Sequence, residues 1–226
     1  MSEPILLASN GWLFFNKIRE HDQIIQDSGL SGVEYSARFS KNRLAEVLNH
    51  TFSNGVYRSL HLPHNITSSG SFFNPTDYFE ICALLLYRIN PEYAVLHPQN
   101  ISSSIWERLL SIPRLEDRTF SNKNYVIAVE NLEPEIEEWN NLKKYEELLT
   151  SHPELRFVID IQHAVRMSEK VGSSYLDDLL ALTKERIVGY HVSSFPPDSN
   201  LHVMLHDYPN VQIEEFLQKC YKKKQA

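Results

Sequence analysis

Two rhythms of apolar residues alternate along the chain. Short apolar runs occur at Ile5–Ser9, Gly32–Arg38, Tyr57–Leu62, Tyr93–Leu96, Tyr125–Val129, Phe157–Asp160 and Ile187–Val192. Runs of this length that are bounded by turn residues read as strands buried on both faces. Between them the spacing lengthens to the helical period: Leu44, Val47, Leu48 and Thr51; Phe79, Cys82, Ala83 and Leu86; Ile136, Trp139 and Leu142; Leu176, Leu179, Leu180 and Thr183. Shorter helices are expected over Asp22–Asp27, Ile105–Leu110 and Ile213–Tyr221, and Asn74-Pro75 supplies a cap and a first-turn proline for the helix holding Cys82.

The strands carry a shared polar signature. Glu34, His61, His97, Glu130, Asp160 and His191 are read as strand-end residues, at separations of 27, 36, 33, 30 and 31 positions. A period of about 30 residues with strand and helix alternating is the βαβ signature. Successive right-handed units close most naturally into a (β/α) barrel, whose site lies at the strand C-termini. An open doubly wound sheet shares the alternation but gathers its site at one switch point, so six polar strand ends favour the barrel. The expectation is an α/β protein with one TIM-barrel domain over residues 1–226, truncated or irregular at the eighth strand.

Composition changes this picture little. The chain has 226 residues, 42% hydrophobic, and a mean hydropathy of -0.35, as an ordinary globular protein has. No apolar run approaches the ~20 residues of a membrane span, and the stretch at Ile5–Leu7 lacks the marks of a signal peptide. Cys82 and Cys220 are too few for a disulfide framework, which points to a reducing, cytoplasmic compartment. The net charge of -7 argues against a nucleic-acid partner, since the basic run Lys222–Lys224 fits a solvated helix end.

Chemistry enters with RFVIDIQHAVR, Arg156–Arg166, where a buried strand runs into Asp160 and then His163. Burying a carboxylate and an imidazole without partners costs several kcal/mol, roughly 2–7 for a neutral polar group and more for a charged one. Each such residue alone is more often a hydrogen-bonded core group, and Glu34 could pair with Arg38 or Arg58. Together, however, His61, His97, Glu130, Asp160, His163 and His191 form a ligand set suited to a divalent ion, with zinc, manganese or iron fitting imidazole plus carboxylate.

Five segments resemble the xylose-isomerase-like TIM barrels, the superfamily of endonuclease IV and of sugar (phosphate) isomerases and epimerases. They are SLHLPHNITSS (Ser59–Ser69), AVLHPQN (Ala94–Asn100), VENL (Val129–Leu132), IDIQHA (Ile159–Ala164) and YHVSS (Tyr190–Ser194). The resemblance implies that Glu130 bridges two metals, with His61 and His97 on the first and Asp160 and His191 on the second. It implies a third position for His163 with an Asp-x-His pair, matched best by Asn200-Leu201-His202, with His206 competing. The family's eighth-strand glutamate has no counterpart. Only 35 residues follow His191, and Glu214 and Glu215 fall on a predicted helix. Seven strands, a short irregular eighth at Leu201–Leu205, or a partner chain at the open edge would each account for this.

Three functions follow as expectations. The first is a metal-dependent isomerase or epimerase acting on a small sugar or sugar phosphate, with Glu130 as one acid-base group and Glu34 or a histidine as the other. Trp12, Phe14 and Phe15 are then either sugar-stacking or core residues. The second is metal-assisted phosphoester hydrolysis of the endonuclease IV kind, which the two histidines His61 and His97 favour and the acidic charge opposes. The third is a non-catalytic or partner-dependent binding barrel, in which an open edge invites self-association.

Overall fold

A computed structural model describes residues 7–9, 27, 32–36, 49–50, 57–62, 75–98, 107–108, 126–172, 174–193, 213–215 and 218. The chain divides into two compact units, Met1–Ala128 and Val129–Ala226.

The first unit holds β1 (Leu7–Ser9), β2 (Gly32–Ser36), β3 (Tyr57–His61), α1 (Pro75–Ile89) and β4 (Tyr93–Leu96). These strands lie side by side in chain order and every described pair is parallel. Between β3 and β4 the crossover contains α1, since parallel neighbours cannot be joined by a tight turn. Gly32 starts β2 against Tyr57, where a Cβ would fall 1.9 Å from the Tyr57 carbonyl oxygen, so only glycine permits the approach. α1 buries Cys82, Leu85, Leu86 and Ile89, while Ala83 is only half-buried, so its inward face is turned slightly from the one the sequence spacing gives. The helix stops where Asn90 adopts a left-handed φ of 49° and Pro91 follows. Leu60, Leu62, Val95 and Leu96 complete this core, each such side chain contributing roughly 1.5–3 kcal/mol on burial.

β5 (Val126–Glu130) leads into the second unit, which continues with a 3-10 turn at Glu137–Trp139, α2 (Leu142–Ser151), β6 (Arg156–Asp160), α3 (Ile161–Val171), α4 (Tyr175–Thr183) and β7 (Ile187–His191). β6 and β7 pair in parallel, with Asp160 opposite His191. Phe157, Val158 and Ile159 are fully buried, as expected of an interior parallel strand. Two elements differ from the sequence reading. Ile136 and Trp139 precede α2 instead of striping it, because Asn141 caps the helix by accepting from Lys143 N, and the buried positions become Tyr145 and Leu149. α3 begins directly after Asp160, so His163 sits in a first helical turn and not on a strand. The guanidinium of Arg186 donates to the carbonyls of Leu149 (2.7 Å) and His152 (3.3 Å), capping the C-terminal end of α2.

Among the described residues no helix is long and apolar enough to cross a membrane. Residues 213–215 and 218 are helical, in agreement with the expected terminal helix, while Leu201–Leu205 lies outside the described residues.

Candidate metal centre

In the first unit Glu34 and His61 lie on the neighbouring strands β2 and β3, and His97 directly follows β4. Glu34 is in the third position of the five-residue β2, not at its end, and pairs in register with Ser59. Ser59 Oγ donates to Glu34 Oε2 at 3.0 Å, both groups being buried. His61 ends β3 opposite Val95, and Leu62 N continues the ladder to the Val95 carbonyl at 2.8 Å. The imidazoles of His61 and His97 are buried and meet edge to face, with ring centroids 5.0 Å apart, and His61 Nδ1 donates to the carbonyl of Leu62 at 3.1 Å. Period-two alternation puts Glu34, Ser59 and His61 on one face of the sheet, with Glu34 about 6–7 Å deeper than the strand end.

In the second unit Glu130, Asp160 and His163 are all buried, and one ligand atom from each lies within 4.8 Å of the others. Asp160 closes β6 and also caps α3: its Oδ1 accepts from His163 N at 2.9 Å, leaving Oδ2 3.9 Å from His163 Nδ1. His163 Nδ1 donates to the Asn131 carbonyl at 2.9 Å, which assigns the ring proton to Nδ1 and leaves Nε2 as the atom able to bind a metal. Glu133 Oε2 stands 3.9 Å from that Nε2. His191, at the end of β7, donates from Nδ1 to Glu130 Oε1. Burial lowers the His163 pKa, but the charges of Asp160 and Glu130, the Asn131 carbonyl and Glu133 outweigh it and hold the pKa above its ordinary value.

Two carboxylates and an imidazole gathered within 4.8 Å and withdrawn from water form a donor set that a divalent ion fits. The structure thus brings Glu130, Asp160, His163 and His191 together. It shows His61 beside His97, and Glu34 engaged with Ser59. His202, Asn200, His206, Trp12, Phe14 and Phe15 lie outside the described residues.

Sequence reasoning missed Asn131, Glu133 and Gln162. Asn131 Nδ2 donates to the Asp160 carbonyl at 2.9 Å, and its Oδ1 accepts from Asp160 N at 2.8 Å. Gln162, fully buried, accepts from Ser193 Oγ at 2.6 Å, while its Nε2 finds no partner among the described residues. The adjacency of Asn131 to Glu130 was the only available signal for the first of these.

No family model and no curated protein matches the sequence. Solved structures do match in fold. The chain is similar to the 3-keto-D-glucoside 4-epimerase YcjR from E. coli at 14% identity and a TM-score of 0.55, over 95% of this chain and 87% of that one. It is similar to endonuclease IV from Thermus thermophilus at 17% identity and a TM-score of 0.55, over 88% and 80%. A D-tagatose 3-epimerase-like protein aligns at 13% identity and a TM-score of 0.56, over 91% and 84%. At these identities the likeness is one of fold. It agrees with the α/β TIM-barrel fold expected from the strand spacing, and the structures the chain resembles include two named for sugar epimerisation and one endonuclease.

Proposed function

We propose that this chain is a divalent-metal-dependent enzyme of the isomerase or epimerase kind, acting on a small sugar or sugar phosphate. The observation that carries the reading is the buried Glu130, Asp160 and His163 group, whose carboxylate and imidazole donors suit zinc, manganese or iron. His191, bonded to Glu130, joins this donor set. The sequence resemblance adds His61 and His97 as ligands from the first unit and His202 as partner to His163.

A bound ion would polarise the substrate carbonyl and stabilise negative charge on its oxygen. The protein's own residues do the rest. Asp160 and Glu130 offer negative charge, and His163 presents Nε2. Glu130 is one acid-base candidate and Glu34, a buried carboxylate that accepts from Ser59, is the candidate for the other. Likeness to two epimerase-named structures supports the sugar substrate.

A second reading, phosphoester hydrolysis on a small substrate, is favoured by the His61 and His97 pair and by the likeness to endonuclease IV. Turnover of zinc-, manganese- and iron-loaded protein on a panel of ketoses, their phosphates and abasic-site DNA separates the two. Interconversion of a ketose or its phosphate, abolished by chelation, is the expected result. Strand cleavage with no sugar conversion would replace the first reading by the second.

A further inference from the structure

We infer that Asn131 is a positioning residue whose side-chain amide and backbone carbonyl together aim the Asp160 carboxylate and the His163 ring. The inference rests on the metal-centre reading above. Asn131 is fully buried and directly follows Glu130. Its amide forms two opposed bonds with one residue, donating to the Asp160 carbonyl at 2.9 Å and accepting from Asp160 N at 2.8 Å. A pair of that kind does for Asp160 what a neighbouring strand would do, and it fixes the backbone from which the carboxylate projects. Asp160 Oδ1 is then held by His163 N at 2.9 Å. On the other side the Asn131 carbonyl accepts from His163 Nδ1 at 2.9 Å, which sets the tautomer and leaves Nε2 as the ligand atom.

The chemistry demands asparagine. Aspartate would keep an acceptor for Asp160 N but face the Asp160 carbonyl without a donor, leucine would supply neither, and glutamine is one methylene too long. One residue therefore controls two donors and is adjacent in sequence to the third. The competing account is that Asn131 merely stitches two strand ends together. A neighbouring bond separates the accounts: Leu132 N donates to Tyr145 Oη at 2.9 Å, one residue further along the same segment, and touches neither Asp160 nor His163.

The test titrates zinc into wild type, Asn131→Asp, Asn131→Leu, Tyr145→Phe and Glu130→Gln, and follows the His163 ring nitrogens by NMR in the metal-free proteins at alkaline pH. Both Asn131 variants should bind zinc about 10–100-fold more weakly, with Tyr145→Phe within about threefold of wild type. The His163 Nδ1 proton should be held in slow exchange in wild type and Tyr145→Phe and should exchange faster in the Asn131 variants, which keep the carbonyl but lose the side-chain bonds that fix its position. Wild-type affinity in Asn131→Asp, or an equal loss in Tyr145→Phe, would overturn the inference. Should Asn131→Leu fail to fold, Asn131→Asp, which keeps one of the two bonds, carries the comparison. If wild type itself binds no zinc, or binds it as Glu130→Gln does, the metal reading fails. An unchanged His163 ring signal in the Asn131 variants would still overturn the positioning role on its own.

Discussion

The strand ends of the two units are built differently. In the first, Glu34 is engaged by the residue opposite it on the next strand, and His61 by the carbonyl of its own neighbour, Leu62. These bonds follow from strand register and chain continuity. In the second unit Asp160 and His163 are both held by one residue, Asn131, about 30 positions away, and Glu130 is bonded by His191 about 60 positions away. The aim of those side chains depends on tertiary packing of β5, β6 and the start of α3. The described bonds of the first unit thus run between register neighbours or adjacent residues, whereas those of the second share Asn131 and Asp160 and form a buried network in which each bond orients the next.

Asp160 is the most sensitive point of that contrast. Asp160→Ala removes both a helix cap and a buried acceptor and should destabilise the protein by about 2–3 kcal/mol in urea melts. Asp160→Asn keeps the cap and should stay within about 0.5 kcal/mol of wild type. It should nevertheless weaken metal binding, and equal metal affinity in Asp160→Asn would mean the carboxylate is only a cap.

In the first unit, Ser59→Ala should cost about 1–2 kcal/mol, since it strips a hydrogen bond from the buried Glu34. It should leave zinc affinity unchanged, and a parallel loss of metal would erase the distinction between the units.

The pH dependence sharpens the contrast further. The folded-state pKa of His163 is raised, so its charged form is favoured by folding. That stabilisation is complete below the unfolded value of about 6.5 and is lost as pH rises through the raised folded value. The metal-free protein should therefore melt at lower temperature as pH climbs through that window, and His163→Gln should flatten the slope. Metal displaces the same proton, so affinity should rise over the window in which apo stability falls.

The smallest effect expected is at Tyr175. Burial pushes its phenol up to about 12, and its hydroxyl has no partner among the described residues. Tyr175→Phe should be neutral or stabilising within about 1 kcal/mol, because no bond is lost and a buried polar atom is removed.

The fold was legible because it rests on periodicity. Each described strand coincides with an apolar run, and spacing of about 30 residues implied the parallel crossovers. Boundaries that depend on a single cap were harder. The sequence reading let Ile136 and Trp139 run into α2, although Asn141 starts the helix anew, and it put His163 at the end of a strand, although Asp160 caps a helix there. Motif spacing also located Glu130, Asp160, His163 and His191. It could not show that Asp160 and His163 find their first partners inside the protein, because those partners are the amide and carbonyl of Asn131, and backbone carbonyls leave no mark on a sequence. The run Gly32–Arg38 already held Glu34 inside its strand, and β2 ends two residues beyond Glu34, at Ser36.

The central claim is that the buried Glu130, Asp160 and His163 group is a metal centre. Elemental analysis of protein purified without added metal and again after reconstitution with zinc, manganese or iron, beside Glu130→Gln treated identically, tests it directly. The parent protein should hold at least one equivalent of bound metal, and Glu130→Gln should lose most of it. Near-zero metal in the parent after reconstitution, or equal retention by Glu130→Gln, would contradict it.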